Sequence, residues 1–366
     1  MRPCCHPLRI VLTIICIGVL GLVVALVFGL SALEVGSPAS TAAPPVSLAA
    51  SVDIARPGKP VPRDFLGLSF EMSSLAHIAR YGVRGNMVAL LRALGPGLMR
   101  FGGTPSWAPP VALHDGISAL TGHHYPTGCN SVPPPTIPRL LSPAIRHDEA
   151  VSLQRYLAVS SRLHMPFRLD EANSVSCGGT PGISDRFAST LWAIDYIART
   201  MTFGASGINL QANPSKCLGY TPLCAPSPSA LADGVLDPHP EWYALLMARQ
   251  LLRDRPLRVT FSPTLSNVDV LAFLSDSGAL HVLVVNDEPS QPAALRLHLP
   301  HRYRLTTELS LSAPSLAAAS GVRLVRRTFE ANGESDDASS SSPRRIHDGR
   351  LVVETPPSTA ILLTLR

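Results

Sequence analysis

Two glutamates stand where short apolar segments run into turn residues: Glu71 ends LGLSFE, and Glu171 closes RLDE just before ANS. At the ends of parallel strands, carboxylates face the pocket built by the following loops, where they can serve as nucleophile or as general acid and base. An exposed or capping acid is the alternative for each. Asp170 precedes Glu171, and on a regular strand neighbours point to opposite sides, so only one of the two is expected in the pocket. The pair His123 and His124 has no third ligand at a recognisable spacing, so a structural role is expected rather than a metal site. The sequence has no GxSxG, HExxH or P-loop and no GxGxxG opening a helix, which argues against serine hydrolase, zincin, NTPase and dinucleotide chemistry. No metal or organic cofactor is implied.

Cys129, Cys177, Cys217 and Cys224 are an even set, which fits two disulfides in an oxidising compartment. Cys217 and Cys224 flank a Gly- and Pro-containing loop and are natural partners by proximity, which leaves Cys129 and Cys177. Four cysteines nevertheless allow three pairings. A zinc site would want closer CxxC or CxH spacing, and none occurs.

The elements that must position these residues begin after a membrane-targeting segment. Arg2 and Arg9 precede an uncharged, mostly apolar run from Ile10 to Leu33. It exceeds the roughly 7 to 15 residues of a cleaved signal and is long enough to cross a ~30 Å hydrocarbon core. A transmembrane signal anchor over 1–34 is expected, with Met1 in the cytosol and the rest extracytoplasmic. A stalk over 35–50 follows, whose small residues Ser37 to Ala43 leave cleavage and secretion open. Cys4 and Cys5 are positioned either for palmitoylation or as plain cytosolic thiols. From Val52 onward, strands alternate with helices, as in a parallel α/β sheet or barrel. The clearest helix follows Ser184, a good N-cap, carries Phe187, Leu191, Ile194 and Ala198 at helical spacing, and ends before Gly204. Trp192 is expected in its core-facing part. Asp148 to Leu163 reads as a second helix, whose opening acids Asp148 and Glu149 suit the helix dipole. From about Pro256 short strands with turn signals take over, as in an all-β sandwich. The 16% of charged residues and net charge of +5 form no basic stripe, since Lys59 and Lys216 are the only lysines, so no nucleic-acid partner is expected.

The string RLDEANSVSCGG, followed by SDRF and LWAIDY, with FLGLSFEM, MRFGGT and GHHYP upstream, resembles glycoside hydrolase family 79, the β-glucuronidase and heparanase-like family. The resemblance runs from about Val52 to the C-terminus. It implies a (β/α)8 TIM-type barrel over 51–254, a β-sandwich over 255–366, and retaining hydrolysis of β-linked glucuronides in a carbohydrate or glycoconjugate. By motif, Glu171 matches the nucleophile and Glu71 a carboxylate that binds sugar hydroxyls. Gly103 and Thr104 match a turn lining the pocket, and Tyr125 an active-site tyrosine. Gly178 and Gly179 match a loop whose amides help hold the uronate carboxylate.

A retaining glycosidase also needs a second carboxyl roughly 5 to 5.5 Å from the nucleophile, which in this family belongs to an Asn-Glu pair on the fourth strand. This chain contains no Asn-Glu dipeptide. Only about 70 residues separate MRFGG from Glu171, where four βα units of roughly 30 residues want ~120. Strands 3–5 are therefore expected to be missing or reduced, with the loss between Trp107 and Leu120. Truncation of the gene product, an inactive relative, or recruitment of another acid would each fit. The competing class is a carbohydrate-binding protein without turnover.

Overall fold

Apolar runs with no polar face need burial on both sides, and two sheets provide it. The computed structural model describes residues 44–102, 119–262, 267–299, 303–329, 346–347 and 350–366. The expected anchor, Gly103, Thr104 and most of the expected gap lie outside these residues. Among the described residues, no helix is long and apolar enough to cross a membrane.

The first strand, β1 (Val46–Asp53), belongs to the larger sheet. The parallel sheet starts with β2 (Leu66–Glu71), followed by α1 (Leu75–Arg80), α2 (Met87–Leu94), β3 (Leu98–Gly102) and β4 (Leu120–His124). Then come α3 (Ile137–Leu140), α4 (Pro143–Leu163), β5 (Phe167–Ala172), α5 (Phe187–Phe203) and β6 (Gly207–Ala212). Strand order is β3-β2-β6-β5-β4, with every neighbouring pair parallel. The last strand pairs with the first, which is the closing contact of a (β/α)8 barrel. Among the described residues the sheet is a half-barrel, and its edges β3 and β4 flank residues 103–118. A two-stranded pair, β7 (Leu223–Cys224) and β8 (Asp237–Pro238), brackets α6 (Pro228–Asp233), and α7 (Pro240–Ala248) follows.

Two helix starts differ from the sequence reading. Helix α5 begins at Phe187 without a side-chain cap, because the Ser184 hydroxyl is engaged by the Thr180 amide and the Ser174 hydroxyl inside the preceding loop. Helix α4 begins at Pro143, with Ser142 as its cap. Asp148 and Glu149 thus lie beyond the first turn, and Glu149 is buried, accepting a hydrogen bond from Trp192 Nε1 at 2.7 Å. Gly204 closes α5 at φ 85°, a conformation that glycine adopts without strain. Almost every face of α5 is buried, because it packs between the parallel sheet and the strands that follow.

Those strands are β9 (Arg255–Ser262), β10 (Val268–Leu274), β11 (Leu280–Asn286), β12 (Ala293–His298), β13 (Leu305–Ser312), β14 (Arg323–Thr328), β15 (Ile346–His347), β16 (Arg350–Thr355) and β17 (Thr359–Leu365). The N-terminal part of β9 pairs with β10 and its C-terminal part with β1, so one strand joins the two halves of a mixed sheet. Leu48, Leu295 and Val353 from one half share a core with Val282, Ile361 and Leu363 from the other, which makes the arrangement a sandwich. The alternate residues Leu283, Val285 and Leu362 pack with α5 and α7 instead. Both faces of β11 and β17 are thereby buried, which accounts for the apolar runs 282–285 and 360–363 within them. Strand β1 takes in residues 46–50, expected as the end of the stalk, together with Val52 and Asp53, expected to open the α/β region; it lies between β9 and β12, whose pairing orders it, and runs parallel to β12. Its buried residues Leu48 and Ala50 alternate with exposed ones, as a strand with one face on the sandwich core requires.

A buried ionic cluster joins the helices to this sandwich. Arg146 of α4 meets Asp195 of α5 at 2.8 Å and Asp287 after β11 at 2.7 Å. Arg199 of α5 meets Asp195 at 3.3 Å and Asp269 of β10 at 2.7 Å.

Candidate active site

The C-terminal ends of β2, β3, β4 and β5 converge on one guanidinium. Arg100 of β3 donates to Glu171 Oε2 at 2.5 Å and to the Ser69 hydroxyl at 3.3 Å, and its Nε lies 3.3 Å from Asp170 Oδ2. Its other terminal nitrogen is 3.2 Å from His123 Nε2. His123 lies 3.6 Å from Glu171 and 3.7 Å from Asp170.

Both neighbouring acids therefore meet the same cation, contrary to the strict alternation expected of a strand. The reason is a register break. Gly122 pairs with Leu169 but His123 with Glu171, and on the other side Leu169 pairs with Ile208 but Ala172 with Leu210. The extra residue in β5 cancels the alternation locally, as a bulge does when it re-aims a side chain.

The other oxygen of Glu171 accepts a hydrogen bond from the Tyr125 hydroxyl at 2.7 Å. Tyr125 in turn lies 3.2 Å, hydroxyl to hydroxyl, from Tyr220, and the two rings stack. Burial, together with Tyr220 and Glu171, pushes the Tyr125 phenol far above its ordinary value, so it remains protonated and able to donate. Burial also raises Tyr220. Glu71 ends β2 and accepts from Gln211 Nε2 of β6 at 3.0 Å. The two histidines of HHYP separate: His123 faces the acids, whereas His124 lies beside the Ser152 hydroxyl and the Tyr196 ring. Burial lowers His124 to about 4, so it is neutral.

Gly178 and Gly179 both have φ near 90°, and a Cβ on Gly179 would sit 2.4 Å from the Tyr220 nitrogen. Only glycine allows this approach. The Gly178 carbonyl accepts from the Tyr220 amide at 3.2 Å, and the Gly179 amide donates to Ser176. The loop thus supports Tyr220 from behind. Disulfides brace it on both sides, Cys129 to Cys177 and Cys217 to Cys224, with Cα separations of 5.9 and 5.4 Å.

The structure thus gathers Glu171, Tyr125, Gly178 and Gly179 around one centre and puts Glu71 at a neighbouring strand end. Arg100, His123, Asp170, Gln211 and Tyr220 are additions. Arg100 had a signal in the sequence, a lone charge inside an otherwise apolar strand before paired glycines. Tyr220, in a loop far along the chain, had none. Chemically, a carboxylate held by a guanidinium on one oxygen and a phenol on the other has its orientation fixed, as a nucleophile or an anion-pairing group requires.

No family model matches the chain, and no curated protein matches it by sequence. Solved structures match its fold. A 4-O-α-L-rhamnosyl-β-D-glucuronidase from Fusarium oxysporum 12S superposes with TM-score 0.64 at 13% identity, over 87% of this chain and 100% of that one. The GH51 arabinofuranosidase from Xanthomonas axonopodis pv. citri gives TM-score 0.58 at 10% identity, over 88% and 100%. A further arabinofuranosidase gives 0.56 at 11% identity, over 87% and 100%. The chain has the fold of these glycoside hydrolases.

Proposed function

We propose that the chain is a retaining glycoside hydrolase of the β-glucuronidase type, related to family 79, with Glu171 as the nucleophile. One observation carries the reading: at the end of β5 both oxygens of Glu171 are held, one by Arg100 and the other by Tyr125. Glu171 would attack the anomeric carbon, and the leaving oxygen would need a proton from a second carboxyl. The Asn-Glu segment that supplies it in the family is absent from the sequence, so turnover is proposed to be impaired. The fold shared with the Fusarium glucuronidase supports a glucuronide substrate, with Glu71 binding sugar hydroxyls and Gly103 and Thr104 lining the pocket. The N-terminal apolar run is proposed to anchor the protein with this site outside the cytosol.

The missing Asn-Glu pair and the edges of β3 and β4, unpaired among the described residues, favour a second reading, a protein that binds the sugar without turning it over. A chromogenic β-glucuronide assay together with calorimetric titration of glucuronic acid separates them. Turnover abolished by Glu171→Gln supports the enzyme. Binding without turnover in the wild type supports the second reading. Turnover that survives Glu171→Gln rejects the nucleophile assignment, and absence of both turnover and binding rejects both readings.

A further inference from the structure

The loop that delivers Tyr220 holds three soft-metal donors in one place. The sulfurs of Cys217 and Cys224 and one ring nitrogen of His239 all lie within 4.8 Å of one another. The backbone, not only the disulfide, sets this proximity. Strand β7 pairs with β8, placing Leu223 opposite Pro238 and Cys224 opposite Asp237, and the His239 amide donates to the Pro222 carbonyl at 2.9 Å. The Cys217 turn is closed by the Lys216 amide on Asn213 and the Gly219 amide on Lys216, and the Ala225 amide donates to Pro214.

A second observation is independent of the sulfurs. His239 Nδ1 is buried and has no hydrogen-bond partner among the described residues. A buried imidazole nitrogen with nothing to bind is an unmet cost, and a metal ion is one group that would meet it.

We propose that Cys217, Cys224 and His239 form a redox-gated site for a thiophilic divalent cation such as zinc, closed when the two cysteines are joined and open when they are reduced. In the opening step a thiol or phosphine reductant supplies two electrons to the Sγ–Sγ bond and is itself oxidised, while the sulfurs take up two protons. In the binding step the cation displaces those two protons to solvent and bonds both thiolates and the imidazole. A tetrahedral zinc with Zn–S of about 2.3 Å and Zn–N of about 2.0 Å needs donor separations of about 3.5 to 3.8 Å, so the two sulfurs, bonded to each other here, must move apart once reduced, with the imidazole already within 4.8 Å of both. Two thiolates and one nitrogen leave a fourth position for water.

The surroundings suit a cation. Asp185 and Asp237 contribute negative potential at the His239 ring. Cys224 is buried, whereas Cys217 and His239 are only partly covered, which leaves a path for the ion. Sequence spacing hid the site because His239 arrives across the β7–β8 pair rather than along the Cys217–Cys224 loop. Tyr220 lies between the two cysteines, so the state of the pair would be transmitted to the hydroxyl that contacts Tyr125.

The test uses the full chain reduced with a phosphine, then alkylated briefly with and without zinc ion, with every cysteine mapped by peptide mass spectrometry. Zinc is expected to slow alkylation of Cys217 and Cys224 about tenfold or more, the scale on which even supporting partners of a ligand act. Cys129 and Cys177 should react at the same rate in both samples. In His239→Ala the protection should largely disappear, and with cobalt(II) the wild type should develop the sulfur-to-metal charge-transfer band of thiolate ligation. Unchanged rates at Cys217 and Cys224, or full protection retained in His239→Ala, would overturn the proposal.

Discussion

Two clusters of arginines and acids use the same groups for different ends. At the half-barrel mouth, Arg100 meets Asp170 and Glu171, whose side chains keep 13% and 12% of their exposure. At the junction with the sandwich, Arg146 and Arg199 meet Asp195, Asp269 and Asp287 at 2 to 7%. The mouth cluster stays near water, so its acids are within reach of a ligand. In the junction, three aspartates face two guanidiniums in a dry environment, with Glu149 close by, and the shortage of positive charge has to be met by protons. Burial pushes Asp195 up to about 6 and Asp287 up to about 7 against the pull of Arg146. Asp269 stays below its usual range because Arg199 and Arg146 outweigh its burial. The difference teaches that dehydration, more than the identity of the pairs, decides whether such a cluster is a reagent or a fastening.

The sharpest way to break this comparison is to remove one arginine from each cluster. Arg146→Met leaves Asp287 buried without its arginine and Asp195 with Arg199 alone, and should cost about 3 to 5 kcal/mol, read as a large drop in the urea midpoint. Arg100→Met should cost about 1 kcal/mol or less while disabling whatever Glu171 does. Equal losses in the two variants would erase the distinction.

A smaller effect comes from pH. Asp287, Glu149 and Glu241 have folded values raised by burial to about 7, 8 and 8. Their unfolded counterparts have lost their protons well below neutrality. The stability they contribute is therefore complete below the ordinary carboxylate range and is lost as pH rises through those folded values. Melting should show a fall of about 1 to 3 kcal/mol between roughly pH 6.5 and 8.5, whereas a rise would mean the buried carboxyls are ionised. Smallest of all, Glu149→Gln keeps an acceptor for Trp192 Nε1 and should change stability near pH 6.5 by less than about 1 kcal/mol. It should also flatten part of the alkaline fall, a change visible in the same melts.

The sequence made β2 legible as a short apolar run bounded by turn residues, and likewise eight of the nine strands β9 to β17, the two-residue β15 being the one it missed. Glu171 was visible because a carboxylate at the end of such a run is conspicuous. The companion role of Asp170 was hidden, because a one-residue bulge leaves no compositional mark. Glu149 read as an acid suited to a helix dipole and Arg146 carried no signal, since the partners that justify their burial come from other elements. The allegiance of β1 was equally hidden: alternation shows that one face is buried but not against which sheet. The expected span over 10–33 and the pocket residues Gly103 and Thr104 lie outside the described residues.

Strand β1 carries a consequence for how the molecule is made. It is synthesised before any part of the parallel sheet, yet both strands that hold it, β9 and β12, are synthesised after all of that sheet. A ribosome would therefore release the half-barrel strands while β1 still waits, its backbone unpaired, for a platform not yet translated. The sandwich becomes a late, post-release event that ties the start of the described chain to its end, and contacts so distant in sequence are slow to form. During that interval the nascent chain is most exposed to chaperones and proteases, and removal of residues 46–53 would unmake the C-terminal unit rather than the N-terminal one.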